Sequence, residues 1–513
     1  MKRLTILILG IIIFTLTGSL GEAGQAVVRV LYVNDFHGFA EPYSPLGSDE
    51  KLGGIAYLAA EAGRLRKEVP SLLLSAGDMI QGSNWTNLFR GKPVIDVMNA
   101  MSFDAMVVGN HEFDFGKAVL SERVSEAVFP VLGANVHGFE GVLRPYVIKN
   151  VGETRVAVIG VVTNETPATT NPGNVVGLKF DDPAEAIGKY VRELRGSVGV
   201  VIVLSHEGYA KDRALAEKVR GIDVIVGGHS HTKLREPSRV GDTLIVQAWE
   251  HAKALGVLDI TLEDGKIISS AGRLDEIRPV PGAGDKTVEA IVAGYEEKID
   301  VLLNEKVGAA DSDLDGEKVR YRETNLGDLV TDIIRETSGA DAAIINGGTI
   351  RTSIKRGEIR VRDIYSVLPF DNYIVAIKLT GKQVLDALEH GVSAVEQGEG
   401  RFPQVSGITF RYSLSEMPGH RVKNIIMRGK QIDPGGEYTI ATNDFLAAGG
   451  DGYRAFGEAV KSSKDFSVTG GAMKGEKLVY SDSGRWLRDV VIHYIREKKR
   501  VGPEVEGRIV EVR

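Results

Sequence analysis

Residues 27–38 read VVRVLYVNDFHG, and this stretch decides the fold. Residues 27–33 set valine, leucine and tyrosine around one arginine, the composition of a buried strand. The apolar run stops at Asn34, and Asp35 and His37 follow before Gly38 turns the chain. The same event recurs along the next two hundred or so residues. Residues 72–75 lead into SAGDMIQG (75–82), which carries Asp78. Residues 105–108 lead into GNHEFDFG (109–116), with Asn110, His111 and Asp114. Residues 198–204 lead into SHEG (205–208), with His206, and residues 223–226 into GGHSH (227–231), with His229 and His231. A further strand-like run spans 155–162, and amphipathic segments at 55–68, 183–195 and 213–219 lie between the runs. This alternation predicts α/β layering. In such folds sites form beyond the carboxyl ends of the strands, so the five polar groups are expected to converge.

Their chemistry is nitrogen and oxygen ligation. Aspartates, one amide and several imidazoles suit zinc, manganese or ferrous iron rather than calcium. The chain has no cysteine, which excludes thiolate sites, a cysteine nucleophile and disulfides. The candidate ligands are too many for one tetrahedral ion. Two ions sharing Asp78 would use them all, and ions ~3.5–4 Å apart generate a hydroxide and clamp an in-line displacement at phosphorus. Five of the ten histidines fall in these motifs. The others (His137, His251, His390, His420 and His493) are assigned to surface or packing roles.

Outward from this core, the N-terminus reads as a secretory signal peptide over residues 1–26. Lys2 and Arg3 precede an apolar stretch from Leu4 to Leu16, and small residues suit cleavage after Ala26 or Ala23. The alternative is an uncleaved anchor, because the uncharged run is close to the ~20 residues a span needs. Export to periplasm or external medium is expected, with no membrane association after cleavage. Sixty-two basic against 69 acidic residues give a formal charge of −7, which offers no field for a nucleic-acid polymer. A Pro/Gly break at 279–285 (PVPGAGD) precedes helical spacing at 287–305. The expected division is a signal segment 1–26, a phosphoesterase unit 27–284, a connecting helix 285–305 and a second α/β unit 306–513. The sequence leaves the oligomeric state open.

Taken together, NDFHG, GD, GNHEFD, SHEG and GGHSH resemble the ordered motifs of the calcineurin-like metallophosphoesterase superfamily. More closely, the chain resembles the secreted 5′-nucleotidase/UDP-sugar hydrolase family from about Val27 to the last strands. The resemblance implies an N-terminal β-sandwich flanked by helices, linked by a helix to a C-terminal α/β substrate-binding domain. It implies one ion on Asp35, His37, Asp78 and His231, and another on Asp78, Asn110, His206 and His229, zinc, manganese or similar. His111 would contact the transferring phosphoryl group, and Asp114 would orient it. Glu112 is not a ligand in that motif. VRYRETNLGDL (319–329), INGGTIR (345–351), SVLPFDN (366–372) and ATNDFLAAGGDGY (441–453) look like the family's substrate-binding segments. They would place Arg320 and Arg351 on phosphate or ribose, with Arg322 a possible substitute for Arg320. Asn346 would face the base, Phe370 and Phe445 would sandwich it, and Asp451 would bind ribose hydroxyls. Gly347 and Gly348 would let backbone approach the ligand. The implied substrate is a small nucleotide, a nucleoside 5′-monophosphate first, in nucleotide catabolism. UDP-sugars or dinucleotides, 2′,3′-cyclic nucleotides and thiosulfate esters are alternatives within the same chemistry, and a non-catalytic nucleotide-binding protein is the alternative outside it. Two departures stand out. Phe39 replaces a basic residue found in some members, and QAWEHAKALG (247–256) carries Trp249 and His251.

Overall fold

The computed structural model describes residues 25–44, 50–263, 265–469 and 472–512. Almost all of the expected signal segment lies outside the described residues, and no described helix is long and apolar enough to cross a membrane. Ala26 already belongs to the first strand and pairs with Leu262.

The first half is two six-stranded sheets packed face to face. One runs in the order Lys266–Glu276, Ala254–Glu263, Ala26–Val33, Ser71–Ser75, Ala105–Val107, Val131–Leu132. The other runs Ser238–Val240, Thr243–Val246, Val224–Gly227, Val200–His206, Thr154–Val162, Tyr146–Val151. Their central strands are parallel, so the ligand-bearing ends all point one way. Alternate residues explain the layering. Val28, Val30 and Tyr32 meet Val158, Ile202 and Val226 between the sheets. Leu31 and Val33 face the helix Ile55–Arg66 on one outside, and Ile159, Val203 and Ile225 face the helix Pro183–Leu194 on the other. Both faces of the central strands are buried, which is why these strands read as unbroken apolar runs.

The helix Lys286–Leu303 follows, capped by the Asp285 carboxylate, which accepts from Thr287 N and Val288 N. It touches both halves. Tyr295 donates to Asp96 at 2.7 Å, and Arg362 of the second half pairs with Glu296 at 2.8 Å. The second half is built on a five-stranded sheet, Pro403–Ser406, Ala342–Asn346, Glu437–Asn443, Tyr373–Thr380, Leu478–Trp486. The helices Asn325–Ser338, Gly381–Gly391 and Arg454–Lys461 pack on it. The architecture is thus the two-part α/β fold that the resemblance implies. The halves also meet beside the cleft between them. Asn84 donates to Arg362 O at 2.8 Å and Asn87 to Pro369 O at 2.9 Å.

Candidate metal centre and nucleotide cleft

The strand ends converge as the spacing predicts, and the backbone there is strained to make it happen. Asp35, His37, Asp78, His229 and His231 all have positive φ, between 49° and 72°, a region that non-glycine residues rarely adopt. Glycine closes the remaining gap. A Cβ on Gly109 would lie 2.2 Å from Asp78 Oδ1, so the third strand end can approach the second only without one.

Two groups of ligand atoms result. Asp35, His37 and His231 form one, and Asp78, His206 and His229 the other, each with its ligand atoms within 4.8 Å of one another. Asp78 Oδ2 lies 3.0 Å from His206 Nε2 and 4.0 Å from His37 Nε2, so this carboxylate stands between the groups. Three imidazoles have their Nδ1 atoms engaged. His37 donates to Gln81 O at 2.8 Å, His206 to Ala76 O at 2.6 Å, and His231 to the Glu250 carboxylate. That pattern assigns the proton to Nδ1 and turns the Nε2 lone pairs inward. His37 Nε2 and His231 Nε2 consequently face each other at 3.3 Å. Burial holds the His37 and His229 imidazoles well below their ordinary pKa, in the neutral form that ligates. Asn110 donates from Nδ2 to Thr169 O at 3.2 Å, while its buried Oδ1 has no hydrogen-bond partner, and neither has His206 Nε2, whose approach to Asp78 is out of hydrogen-bonding alignment. Opposed lone pairs and orphaned buried acceptors around carboxylates fit divalent cations. The His206 imidazole is disfavoured as a cation by burial, but Asp78 more than offsets this and pushes it up to about 10; an ion binding there displaces that proton.

Other side chains hold the ligands, and sequence reasoning missed most of them. Glu112 accepts from Asp78 N at 2.9 Å, Met79 N at 2.7 Å and the Gly109 amide, tying two ligand loops together, consistent with its exclusion as a ligand. Asn34 donates to Asp35 Oδ2 at 2.6 Å and accepts from Ala248 N at 2.7 Å. Glu250 is the partner of His231, and its second oxygen takes Lys253 Nζ at 2.8 Å. His231, Glu250 and His251 form a third cluster, but both Glu250 oxygens are already spent on these partners. His251 is a packing residue within the centre rather than away from it. Its ring stacks on Phe39 at 3.8 Å and lies 5.9 Å from that of His37.

His111 stands at the mouth of the centre. Its backbone N donates to Asp78 Oδ1 at 2.9 Å, and its Nδ1 meets Asp114 Oδ2 at 2.6 Å. Asp114 is itself held by Thr170 Oγ1, 2.6 Å from Oδ1, and by Asn174, which donates to its backbone oxygen at 2.7 Å. Burial opposes charge on His111, but Asp114 and Asp78 outweigh it and keep the imidazole above its ordinary pKa.

A cavity of about 1150 Å³ opens from this mouth into the second half. Asp78, Asn110, His111, Asp114, His229 and His231 line one wall; Asp35, His37 and His206 lie fully buried behind it. Arg320, Asn346, Gly348, Arg351, Phe370, Phe445 and Asp451 line the other. The Phe370 ring lies 6.0 Å from that of His111, and the Arg351 guanidinium is 5.9 Å from the Phe370 ring and within 3.3 Å of His37 Nε2. Burial and the neighbouring Arg320 lower the Arg351 guanidinium to about 10. Phe445 lies against the backbone of Gly450, where a Cβ would sit 2.4 Å from the ring. Asn346 donates to Asp451 Oδ2 at 2.6 Å and accepts from Thr349 at 2.5 Å, which leaves one N–H and one lone pair of its amide for other partners. Arg322 lies outside the cavity lining, its guanidinium 3.8 Å from Asp315. His390, expected at the surface or in packing, is in the cavity wall and donates from Nε2 to Asp451 O at 2.7 Å.

Comparison with known proteins agrees with this arrangement. Residues 28–233 match the calcineurin-like phosphoesterase family, and residues 303–458 the 5′-nucleotidase C-terminal domain. The human 5′-nucleotidase is 33% identical, over 95% of this chain and 91% of its own length. The chain belongs to the 5′-nucleotidase family. It is accordingly a phosphoric monoester hydrolase with a metallophosphoesterase domain. The solved 5′-nucleotidase precursor of Thermus thermophilus superposes on it with a TM-score of 0.85 at 34% identity, covering 95% of this chain and 99% of that one. The trifunctional nucleotide phosphoesterase protein YfkN of Bacillus subtilis is 34% identical over 86% of this chain, which spans only 33% of that longer protein.

Proposed function

We propose that this member of the family is an exported 5′-nucleotidase that hydrolyses nucleoside 5′-monophosphates to nucleoside and phosphate. The observation that carries the reading is one cavity with two clusters of ligand-type side chains on one side and two aromatic rings and two guanidinium groups on the other. Asp35, His37, Asp78 and His231 would hold one divalent ion, and Asp78, Asn110, His206 and His229 a second, of zinc or manganese type. Bound there, the ions supply positive charge and an activated water for attack at phosphorus.

The remaining work belongs to side chains. Phe370 and Phe445 grip the base by stacking, which holds any base. Asp451 binds ribose hydroxyls, and Arg320 and Arg351 bind phosphate oxygens through paired donors. This places the phosphorus at the mouth beside His111. The His111 imidazolium then neutralises charge developing on the equatorial oxygens. Asp114 fixes its tautomer, and Thr170 and Asn174 fix Asp114. We place the division between the two units at the helix 285–305, with the phosphoesterase unit at 27–284 and the substrate unit at 306–513.

The size of the cavity favours one second reading, since about 1150 Å³ exceeds the ~300–1,000 Å³ of an ordinary small-ligand site. A UDP-sugar or dinucleotide would use the same phosphate and base contacts and fill the remaining space. The deciding experiment is phosphate release from AMP by the chain without its signal segment, stripped of metal and resupplied with manganese or zinc. UDP-glucose and bis-p-nitrophenyl phosphate run alongside. Metal-dependent release from AMP that is lost in His111→Ala is the expected outcome. Hydrolysis of UDP-glucose alone would transfer the assignment to the second reading.

A further inference from the structure

Residues 397–401, QGEGR, run along the cavity wall beside the ribose end, and their placement is fixed from three sides. The turn Val395–Gln397 ends on Gly398, which is left-handed at φ 67°. Gly348 N donates to Gly400 O at 2.8 Å, Gly347 N to Phe402 O at 2.6 Å, and the Tyr453 hydroxyl to Arg401 O at 2.6 Å. A Cβ on Gly400 would lie 3.2 Å from Asp451 Oδ2. The backbone therefore passes directly against Asp451. Glu399 and Arg401 flank Gly400, line the cavity and pair with each other.

An ion pair with side chains 45% and 27% exposed contributes little to stability, so folding gives no strong reason for it. The nucleotide site, in contrast, needs polar groups on base edges if it is to tell bases apart. Aromatic stacking is blind to base identity, and the Asn346 amide already gives one N–H to Asp451 and one lone pair to Thr349. We infer that Glu399 and Arg401 read the edge of the base and make guanine the preferred one. This rests on the nucleotidase reading above and deepens it.

The argument is complementarity. Guanine presents two adjacent acceptors, O6 and N7, which match the two-pronged guanidinium. It also presents two adjacent donors, N1–H and the 2-amino group, which match the two oxygens of a carboxylate. Adenine offers each partner only one such atom, so opening the Glu399–Arg401 pair is incompletely compensated. A site with polar groups left unpaired discriminates strongly against the analogue that leaves them so. Hypoxanthine keeps O6, N7 and N1–H and lacks the amino group, which makes IMP the separating probe.

The test is kcat/KM for GMP, IMP and AMP with the metal-loaded enzyme and with Glu399→Gln and Arg401→Ala. The expected order is GMP above IMP above AMP, with GMP over AMP by about tenfold or more. Glu399→Gln should bring GMP down to IMP, and Arg401→Ala should bring both towards AMP. GMP and AMP within twofold of each other in the wild type, or a preference for GMP that neither variant changes, would overturn the inference while leaving the nucleotidase standing. No release from any of the three would overturn the nucleotidase reading and this inference with it.

Discussion

The two walls of the cleft are made by different physics. The wall from the first half consists of short loops at parallel strand ends, with buried or half-buried charged and ligating groups, five of which have positive φ. Several ligands are held by partners of their own, as Glu250 holds His231 and Asn34 holds Asp35. The wall from the second half is drawn from separate segments around 320, 346–351, 370 and 445–451, and it works through ring faces and single polar contacts. Where charge is concentrated and water is excluded, a small displacement costs much. Where area does the binding, loss is graded. Mutations on the two walls should therefore differ in size and in the parameter they change.

The largest effect is expected at Asp78, which stands between both ligand groups. Asp78→Asn keeps the shape and removes the charge that both groups share. Turnover of the metal-supplied enzyme should fall by more than about a thousandfold, with neither ion retained through desalting when metal content is measured. Retention of both ions at wild-type affinity would break the comparison, because Asp78 would then be one ligand among several.

Next in size is Glu250, which touches no substrate group. Glu250→Ala frees the His231 imidazole to rotate and to exchange tautomers. Loss of such a partner lowers metal affinity by about 10–100-fold. Titration with manganese should show one of two binding steps weakened and the other unchanged. Glu250→Gln, which keeps an acceptor for the His231 N–H, should recover part of the loss. Two equally weakened steps would show general unfolding of the centre instead.

The legibility of the two walls in the sequence differs for the same reason. Strand ends announce themselves, because a run such as 27–33 is apolar on both faces and then stops at ligand-type residues. The α/β layering, the convergence of the ligand groups and the position of His111 at a strand end follow from that alternation, whereas the sandwich is legible only through the resemblance. Glu250 and His251 are accessible to the same rule, since they lie just beyond the strand Thr243–Val246. They escape it because Trp249 and Ala252 dilute the polar signal. Glu112 is rightly excluded as a ligand, but its role is invisible in sequence, since it acts through backbone amides of residues 78–80, more than thirty positions away. His390 packs on Tyr453 as a packing role implies, but its place in the cavity wall is not legible, because it sits at the end of an amphipathic helix, Gly381–Gly391, whose pattern records only its packing. The substrate wall is legible only through resemblance, since Phe370 after a proline and a Gly-rich turn occur in many folds.

The smallest effect, and the sharpest contrast, is expected at Phe445. Its ring lies against Gly450, on the opposite wall from the metal ligands. Phe445→Ala removes one face of the sandwich and about 1–3 kcal/mol of stacking, which raises KM about tenfold or more. The ring holds the base equally in the ground state and in the transition state, so kcat should change little. Phe445→Trp should restore KM, because stacking asks only for an aromatic face. A kcat that falls as far as KM rises would mean that the ring also governs how the second half presents phosphate to His111. The distance of 6.0 Å between the Phe370 and His111 rings shows how short that lever would be. The two walls would then act as one unit, and the division between charge on one side and area on the other would fail at the point where they meet.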